Sequence, residues 1–583
     1  MRSKGIDREA GCDPNVGGCY YHGVYAPTPE EMTAYQAAHL DPWAKTIKYG
    51  YYGIYFFSVG IGLAVLLELY RRWVRYRRLS STNPSKTGFV QAKLLAFFRW
   101  VNYLRLPWTV ERFIAPVWTS GSVSQTFVLG AGFLFCTGYC LGITYYLRPP
   151  FYGSPPLGLR SEWLAMAMLP FLFAFAQKRN LIGTMTGTPY QKLQVLHQGV
   201  SGLHFYMSIV HTIAMGISGS RELGLTSSIY VSGFAALVSL IWLCVASLPI
   251  FRSKAYEGFW LLHMAAVIAY LGTLWWHVYP ELNAPDYMYA TFAIFGWGLL
   301  IRIGWLIYRN LTMHKATAVL SSTGAVLLSI RTCMRWEPGQ HVILRFLSLR
   351  PFESHPYSMA SLSGTGHEHE MKFIVVPRAG FSKALAQRTA NAGGRVELSV
   401  LVDGPLGERE DLRIYDNVLL FAGGSGISHI LPLFLDLASC QRGDSGRHTL
   451  CTRVELVWAV RTLETVKWFE ADILKALEGM PDNAIVVRVH VTGQPLGLAD
   501  AKDDVPEAKG KSALGIELLE GRPNVRATVL NRSQEWTGRV ALACKPLSSD
   551  IDCANAAAAA QLDILAGAAA CDELHLTSEV FEW

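Results

Sequence analysis

Apolar residues along this chain gather into long runs near residues 50–69, 122–146, 162–176, 195–217, 228–250, 258–279 and 287–308. A helix rises 1.5 Å per residue, so about 20 such residues match the hydrocarbon core of a bilayer, and the runs predict seven membrane helices. The third is the weakest, being short and holding Pro170. Beyond about residue 310 the pattern shifts to alternating strands, Gly/Pro turns and ordinary helices, which predicts a soluble region of roughly 270 residues.

Composition agrees: 51% of the 583 residues are apolar and 17% charged, so part of the chain lies in lipid. Basic clusters follow the first, third, fifth and seventh runs, as "RRWVRYRR" (71–78), "QKRN" (177–180), "FRSK" (251–254) and "IYRN" (307–310). The opposite loops carry chiefly Arg148, Arg160 and Arg221. Lys and Arg are retained on the cytoplasmic side, which places the N-terminus outside and the soluble region in the cytosol. The opening residues lack a basic start followed by an apolar core, so the first span is expected to act as an anchor rather than a cleaved signal. The juxtamembrane clusters account for most of the net charge of +7, and no nucleic-acid partner is inferred. Of eleven cysteines, Cys12 and Cys19 fall in the external tail, where a disulfide can form; the others are expected to be buried thiols. There is no internal repeat, and "NAAAAAQ" (555–561) reads as an Ala-rich helix.

The fourth run carries His197, His204 and His211 at seven-residue intervals, and the sixth carries His263 and His277 fourteen apart. Fourteen residues rise about 21 Å and return to within about 40° of the same helix face. Both spans run from inside to outside, so His197 lies level with His263 and His211 with His277. Two opposed imidazoles fill both axial positions of a haem, leaving it suited to electron transfer, and two haems across a bilayer make a wire. Four unrelated polar contacts would have to reproduce the same spacing twice, and other metals would recruit carboxylates or thiolates. His204 lies midway, as Tyr270 does on the sixth run, and is expected to pack or hydrogen-bond rather than ligate.

The soluble region contains "HPYSMAS" (355–361), "AGFSKAL" (379–385), "VDGPLG" (402–407), "NVLLFAGGSGI" (417–427), "VELVWAVR" (454–461), "VALACKPL" (540–547) and a terminal "HLTSEVFEW". In this order the motifs resemble the ferredoxin-reductase-type flavoprotein module. Together with the membrane histidines, the chain over about residues 120 to 583 is similar to fungal ferric reductases of the NADPH-oxidase superfamily. The resemblance implies that His355, Pro356, Tyr357, Ser358 and Ser361 contact FAD, with Gly380, Phe381 and Ser382 at its pyrophosphate. "GGSGI" follows an apolar strand and opens a helix, the setting for holding a pyrophosphate. Gly423, Gly424, Gly426 and Ile427 are therefore NADPH-site candidates, with Arg461 near the 2′-phosphate. By resemblance Cys544 lies near the nicotinamide and Trp583 covers the flavin. Two departures stand out: Lys545 replaces the family glycine after Cys544, and "HQGVSG" (197–202) lacks the arginine and tryptophan usual in relatives. Residues 492–512 look like an unstructured insertion.

The expected fold is a multi-domain membrane protein: an all-α transmembrane bundle with two haem sites, a β-barrel FAD-binding domain and an α/β Rossmann-like NADPH-binding domain. The expected boundaries are an external tail at 1–47, the first span with a cytosolic loop at 48–120, the haem-binding bundle at 121–310, the FAD domain at 311–413 and the NADPH domain at 414–583. The expected activity moves electrons from NADPH through FAD and two haem b groups to ferric or cupric chelates outside, in the plasma membrane or the vacuolar membrane. An iron permease/ferroxidase system would share the pathway. Two rivals remain open: an NADPH oxidase releasing superoxide, and a transporter whose membrane histidines relay protons.

Overall fold

A computed structural model describes every residue except 1–12, 14–15, 22, 40–41, 81–87, 107–109, 111–121, 220–225, 255, 280–281, 365, 408, 482, 494–509, 512–515, 546–549 and 579–583. Cys12 and Trp583 therefore lie outside the described residues. Cys19 is disulfide-bonded. Of the other described cysteines, Cys333 is exposed and Cys244 half-buried, against the expectation of buried thiols.

Among the described residues, seven helices are long and apolar enough to cross a membrane: Pro42–Ser80, Val123–Leu141, Pro156–Ala176, Tyr190–Gly219, Ser228–Ala246, Tyr256–Val278 and Ala284–Arg309. They are the first to seventh spans below. Leu63, Leu134, Ile268 and Leu300 project outward, as side chains facing lipid do. The third span, the weakest by sequence, is the most enclosed: 78% of its apolar window is buried, against 11–28% in the other six. A helix wrapped by protein does not need the length or uniform greasiness of one facing lipid, and it tolerates Pro170.

Six antiparallel strands follow: β3 (His314–Leu320), β4 (Val326–Thr332), β5 (His341–Arg345), β6 (His355–Ser358), β7 (His369–Val375) and β8 (Arg395–Leu406), in the order β6-β5-β8-β3-β4-β7. A two-stranded hairpin, β1 (Cys19–Tyr21) and β2 (Val24–Ala26), precedes them in the N-terminal segment. The six strands curl into a half-barrel around Val326, Leu328, Phe346, Phe373 and Val400, and the helix Gly380–Asn391 adds Phe381 and Leu385 to that core.

The last region is a seven-stranded sheet in the order β12-β13-β11-β10-β9-β14-β15. Its strands are β9 (Asn417–Gly423), β10 (Arg453–Val460), β11 (Ile485–Val491), β12 (Gly510–Lys511), β13 (Ile516–Glu520), β14 (Gly538–Lys545) and β15 (Cys571–Ser578). All pairings are parallel except that of the short edge strand β12. The near-continuous apolar character of β9, β10 and β14 fits strands covered on both faces. From β9 the chain winds outward through β10, β11 and β13, then returns to place β14 on the other side of β9. That reversal is a topological switch point, where open α/β sheets bind their ligands. The insertion at 492–512 lies mostly outside the described residues; its end forms β12.

The segment after the first span holds a helix, Phe89–Tyr103, where a loop was expected, and it docks on the last sheet. Lys93 Nζ donates to the carbonyls of Ile564 and Leu565 at 2.5 and 2.6 Å, capping the C-terminus of the helix Asp550–Ala566. Buried Glu573 pairs with Arg78 and Arg99 at 2.7 and 3.2 Å. Tyr103 Oη accepts from the Leu576 amide at 3.0 Å and lies 3.2 Å from His575 Nδ1. Burial, with the charge of Arg99 added, pushes His575 well below its ordinary value, so its ring stays neutral. The Ala-rich run is helical as expected: Ala556, Ala557 and Ala560 share a core with Ala96 and Tyr103.

Candidate functional site

The fourth and sixth spans bring the histidines into opposed pairs. The His211 and His277 rings lie with centroids 6.2 Å apart and planes at 77°. Two imidazoles bound to one metal through Nε2 at about 2.0–2.1 Å would have centroids about 6.3 Å apart, so this pair fits one ion between its rings. His263 lies within electrostatic reach of His197.

The third span sets the rings. Its carbonyls of Leu172, Ala165 and Gly158 each lie 3.0 Å from Nδ1 of His197, His204 and His211 respectively. Both series repeat every seven residues, so two antiparallel helices meet rung by rung. A helical carbonyl has a second lone pair and can only accept, so each Nδ1 carries the proton and each Nε2 is left with its lone pair. His277 Nδ1 meets the Ile229 carbonyl at 3.0 Å, and His263 Nδ1 meets Ser247 Oγ at 3.2 Å. Such outer hydrogen bonds fix tautomer and orientation in metal-binding histidines. Gly233 makes room for His277, since a Cβ there would stand 2.9 Å from the ring's Cε1.

His204 differs. Its Nε2 is taken by Tyr270 Oη at 2.5 Å, and it is buried at 2% exposure. With both nitrogens engaged it hydrogen-bonds within the bundle, midway between the two pairs.

In the half-barrel, β6 carries His355, Pro356, Tyr357 and Ser358. The His355 ring stacks on Phe381 at 5.1 Å, joining this strand to the helix Gly380–Asn391. Tyr357 lies edge-on to Phe373 at 6.4 Å, and burial pushes its phenol up. Ser361 Oγ donates to the Glu370 carbonyl at 2.7 Å and accepts from the Lys372 amide at 3.1 Å, which ties the segment to β7. Ser382 Oγ accepts from the Arg378 amide and donates to the Ala379 carbonyl, both at 3.0 Å. Gly380 has φ +55° and open space where a Cβ would be, at the positive end of a twelve-residue helix. A flat ring system with a pyrophosphate tail fits this set: aromatic rings on one strand and a helix N-terminus beside them.

At the switch point, Gly423, Gly424, Gly426 and Ile427 join β9 to the helix Ile427–Gln441. Gly424 has φ +50° with open space above it, as close approach of a phosphate requires. Cys544 and Lys545 pair in register with Phe421 and Ala422, so they reach the same end of the sheet. Arg461 is exposed just past β10, whose Ala459 lies beside Gly423. Sequence reading missed Trp458: fully buried, it donates from Nε1 to the Gly424 carbonyl at 3.1 Å and so holds the turn.

With this geometry in hand, comparison with known proteins is specific. Residues 161–274 match the ferric reductase like transmembrane component, 310–410 an FAD-binding domain and 415–544 the ferric reductase NAD binding domain. The ferric/cupric reductase transmembrane component 7 of Saccharomyces cerevisiae is 30% identical over 496 residues, spanning 80% of this chain and 77% of its own. The chain belongs to the fungal ferric reductase family. It is an NAD(P)H-dependent ferric-chelate reductase, a membrane flavoprotein. "Probable cell surface ferric reductase kap2" of Aspergillus oryzae is 26% identical over 547 residues, spanning 81% of this chain and 71% of its own.

The reductase joins its membrane and flavin halves through polar contacts that the basic-loop reading did not foresee. Asn310, at the end of the seventh span, exchanges two hydrogen bonds of 2.9 Å with the backbone of Val402 on β8. Asp403 lies 3.4 Å from Arg302 and 3.9 Å from Arg179. Burial pushes neighbouring Lys178 down to about 8, helped by the charge of Arg302 and opposed by Asp403. "QKRN" thus meets the FAD-binding domain through Arg179.

Proposed function

We propose that the reductase carries electrons from cytosolic NADPH, by way of FAD and two bis-histidine haems, to ferric or cupric chelates on the opposite side of the membrane. The observation that supports this reading is the pair of histidine levels, with the centroids of the His211 and His277 rings 6.2 Å apart and the ring of each of the four histidines oriented through its Nδ1. His197 and His263 would hold the inner haem, His211 and His277 the outer. Flavin, when bound, turns a two-electron donor into single-electron steps, and haem iron with both axial positions filled passes single electrons on.

The chain's own part is positioning. Tyr357 and the start of the helix Gly380–Asn391 support the flavin and its pyrophosphate. The turn Gly423–Gly426, with Cys544 beside it and Arg461 at the rim, receives the nicotinamide nucleotide. The basic loops support a cytosolic placement of both domains and an external N-terminus, in the plasma membrane. The ferrous product would suit an iron permease/ferroxidase system in the same pathway.

Intact cells overproducing the protein should reduce an impermeant ferric chelate at a rate set by internal NADPH. Reduction seen only after permeabilisation would refute the sidedness. Superoxide formed in proportion to NADPH, indifferent to added chelate, would move the protein to the oxidase branch.

A further inference from the structure

We propose that His355, Glu353 and Glu257 form a proton exit from the flavin site, with Glu257 as the group that delivers the proton to water. The proposal rests on the electron path above and supplies its missing charge balance. NADPH delivers two electrons and one proton as hydride. The acceptors take the two electrons singly, so one proton per NADPH must leave the flavin pocket on the side where it entered.

The three side chains meet where the flavin segment touches the helix of the inner haem. Glu353 and His355 flank the start of β6, and Glu257 lies in the first turn of the sixth span, six residues before His263. One ligand atom from each falls within 4.8 Å of the others. His355 Nε2 lies 3.4 Å from Glu353 Oε2, Glu353 is hydrogen-bonded to Arg350, and a carboxyl oxygen of Glu257 lies within 4.8 Å of both groups. The charged and titratable groups facing the two carboxyls are Arg350 and His355.

Two carboxylates this close repel each other, so one of the two favours holding a proton. Burial pushes Glu353 up, but its hydrogen bonds to Arg350 and His355 outweigh this and hold it below its ordinary value. With Arg350 and His355 beside it, Glu353 is the one that stays ionised, which leaves Glu257 to hold the proton. Glu257 is also the exposed member of the three, and His355 is stacked on Phe381 within the flavin segment. The path is then continuous: the imidazole takes the flavin's proton on one nitrogen and passes one from the other to Glu353. Glu353 hands it to Glu257 as Glu257 releases its own to water. Two electrons have left, one proton has left, and both carboxyls are restored; the imidazole ends in its other tautomer and regains the first by turning its ring or exchanging a proton with water.

The test uses full-length protein loaded with FAD and haem in lipid nanodiscs, compared with Glu257→Gln and Glu257→Asp. Gln keeps the size and a donor toward Glu353 but cannot titrate. Time-resolved infrared spectra taken while the flavin is reoxidised should show a protonated-carboxyl band that bleaches transiently and recovers, shifts in D2O, is absent in Glu257→Gln and returns in Glu257→Asp. Flavin reoxidation by the haem should slow roughly a hundredfold in Glu257→Gln, the low end for a positioned acid–base group. FAD content and flavin reduction by NADPH should not change. An unchanged band and rate in Glu257→Gln, or equal impairment of the Asp and Gln variants, would overturn the proposal. Should the wild type lack haem absorbance, the electron path fails instead; the band can still be followed with ferricyanide as the flavin's oxidant, and its absence there would also refute the exit.

Discussion

The membrane bundle and the nicotinamide crevice solve the same problem with the parts reversed. In the bundle, backbone carbonyls of the third span hold side chains, and in the proposed reading those imidazoles would do the chemistry. In the crevice, the side chain of Trp458 holds a backbone turn, and in the proposed reading the turn would receive the ligand. Each arrangement follows from its solvent. Lipid forces backbone groups into helices, so only side chains are free to ligate. A phosphate approaching a sheet in water is met best by amides and a helix N-terminus. The lesson is that changes to working side chains should be all-or-none in the bundle and graded in the crevice.

The largest expected effect tests the bundle side. His277→Ala, or His211→Ala, should remove one of two haems and abolish external ferric reduction, while most FAD-dependent reduction of soluble dyes survives. Haem-to-protein ratios and dye assays check this; two haems with normal external reduction would defeat the assignment. A smaller effect is expected from Trp458→Phe, which leaves the Gly424 carbonyl without its donor. Losing a buried hydrogen-bond partner costs about 1–3 kcal/mol, and the KM for NADPH should rise roughly tenfold for each 1.4 kcal/mol, with haem content unchanged. Loss of haem would break the separation of the two regions. The smallest expected effect is in Lys545→Gly. Lys545 Cγ and Cβ stand 3.0 and 3.2 Å from where a Cβ on Gly426 would lie, crowding the turn. Opening that space should lower the KM for NADPH by about threefold, under 1 kcal/mol, with kcat unmoved. A raised KM would instead make the Lys545 ammonium a partner of the dinucleotide.

How much could be read in advance differs between the regions for the same reason. The histidine levels were legible because helical spacing converts directly into height and face, and His204 stood out because no histidine on the sixth span matched it. The third span was read as the weakest of the seven, and it is a span; what could not be read is its contribution of three carbonyls, because a carbonyl at Gly158 leaves no mark that a carbonyl elsewhere does not. The docked helix Phe89–Tyr103 was read as part of a loop because it is too short to span a bilayer; its partners Ile564, Leu565 and Glu573 lie more than 450 residues away. The glycine turn was visible as a motif, but only the strand order, with β14 returning beside β9, puts Cys544 and Lys545 next to it.

The closed rung between His204 and Tyr270 has an electrical consequence. Both residues are buried, at 2% and 5% exposure, and hydrogen-bonded to each other at the middle of the bundle. Electrons in the proposed direction pass this level, while the proton of each hydride leaves on the side where it entered. Each NADPH would then move two uncompensated negative charges outward. An inside-negative membrane voltage drives that movement by about 2.3 kcal/mol per electron for every 100 mV. Reduction outside would therefore draw on the cell's voltage and run it down, and an ion flow elsewhere in the membrane must restore it.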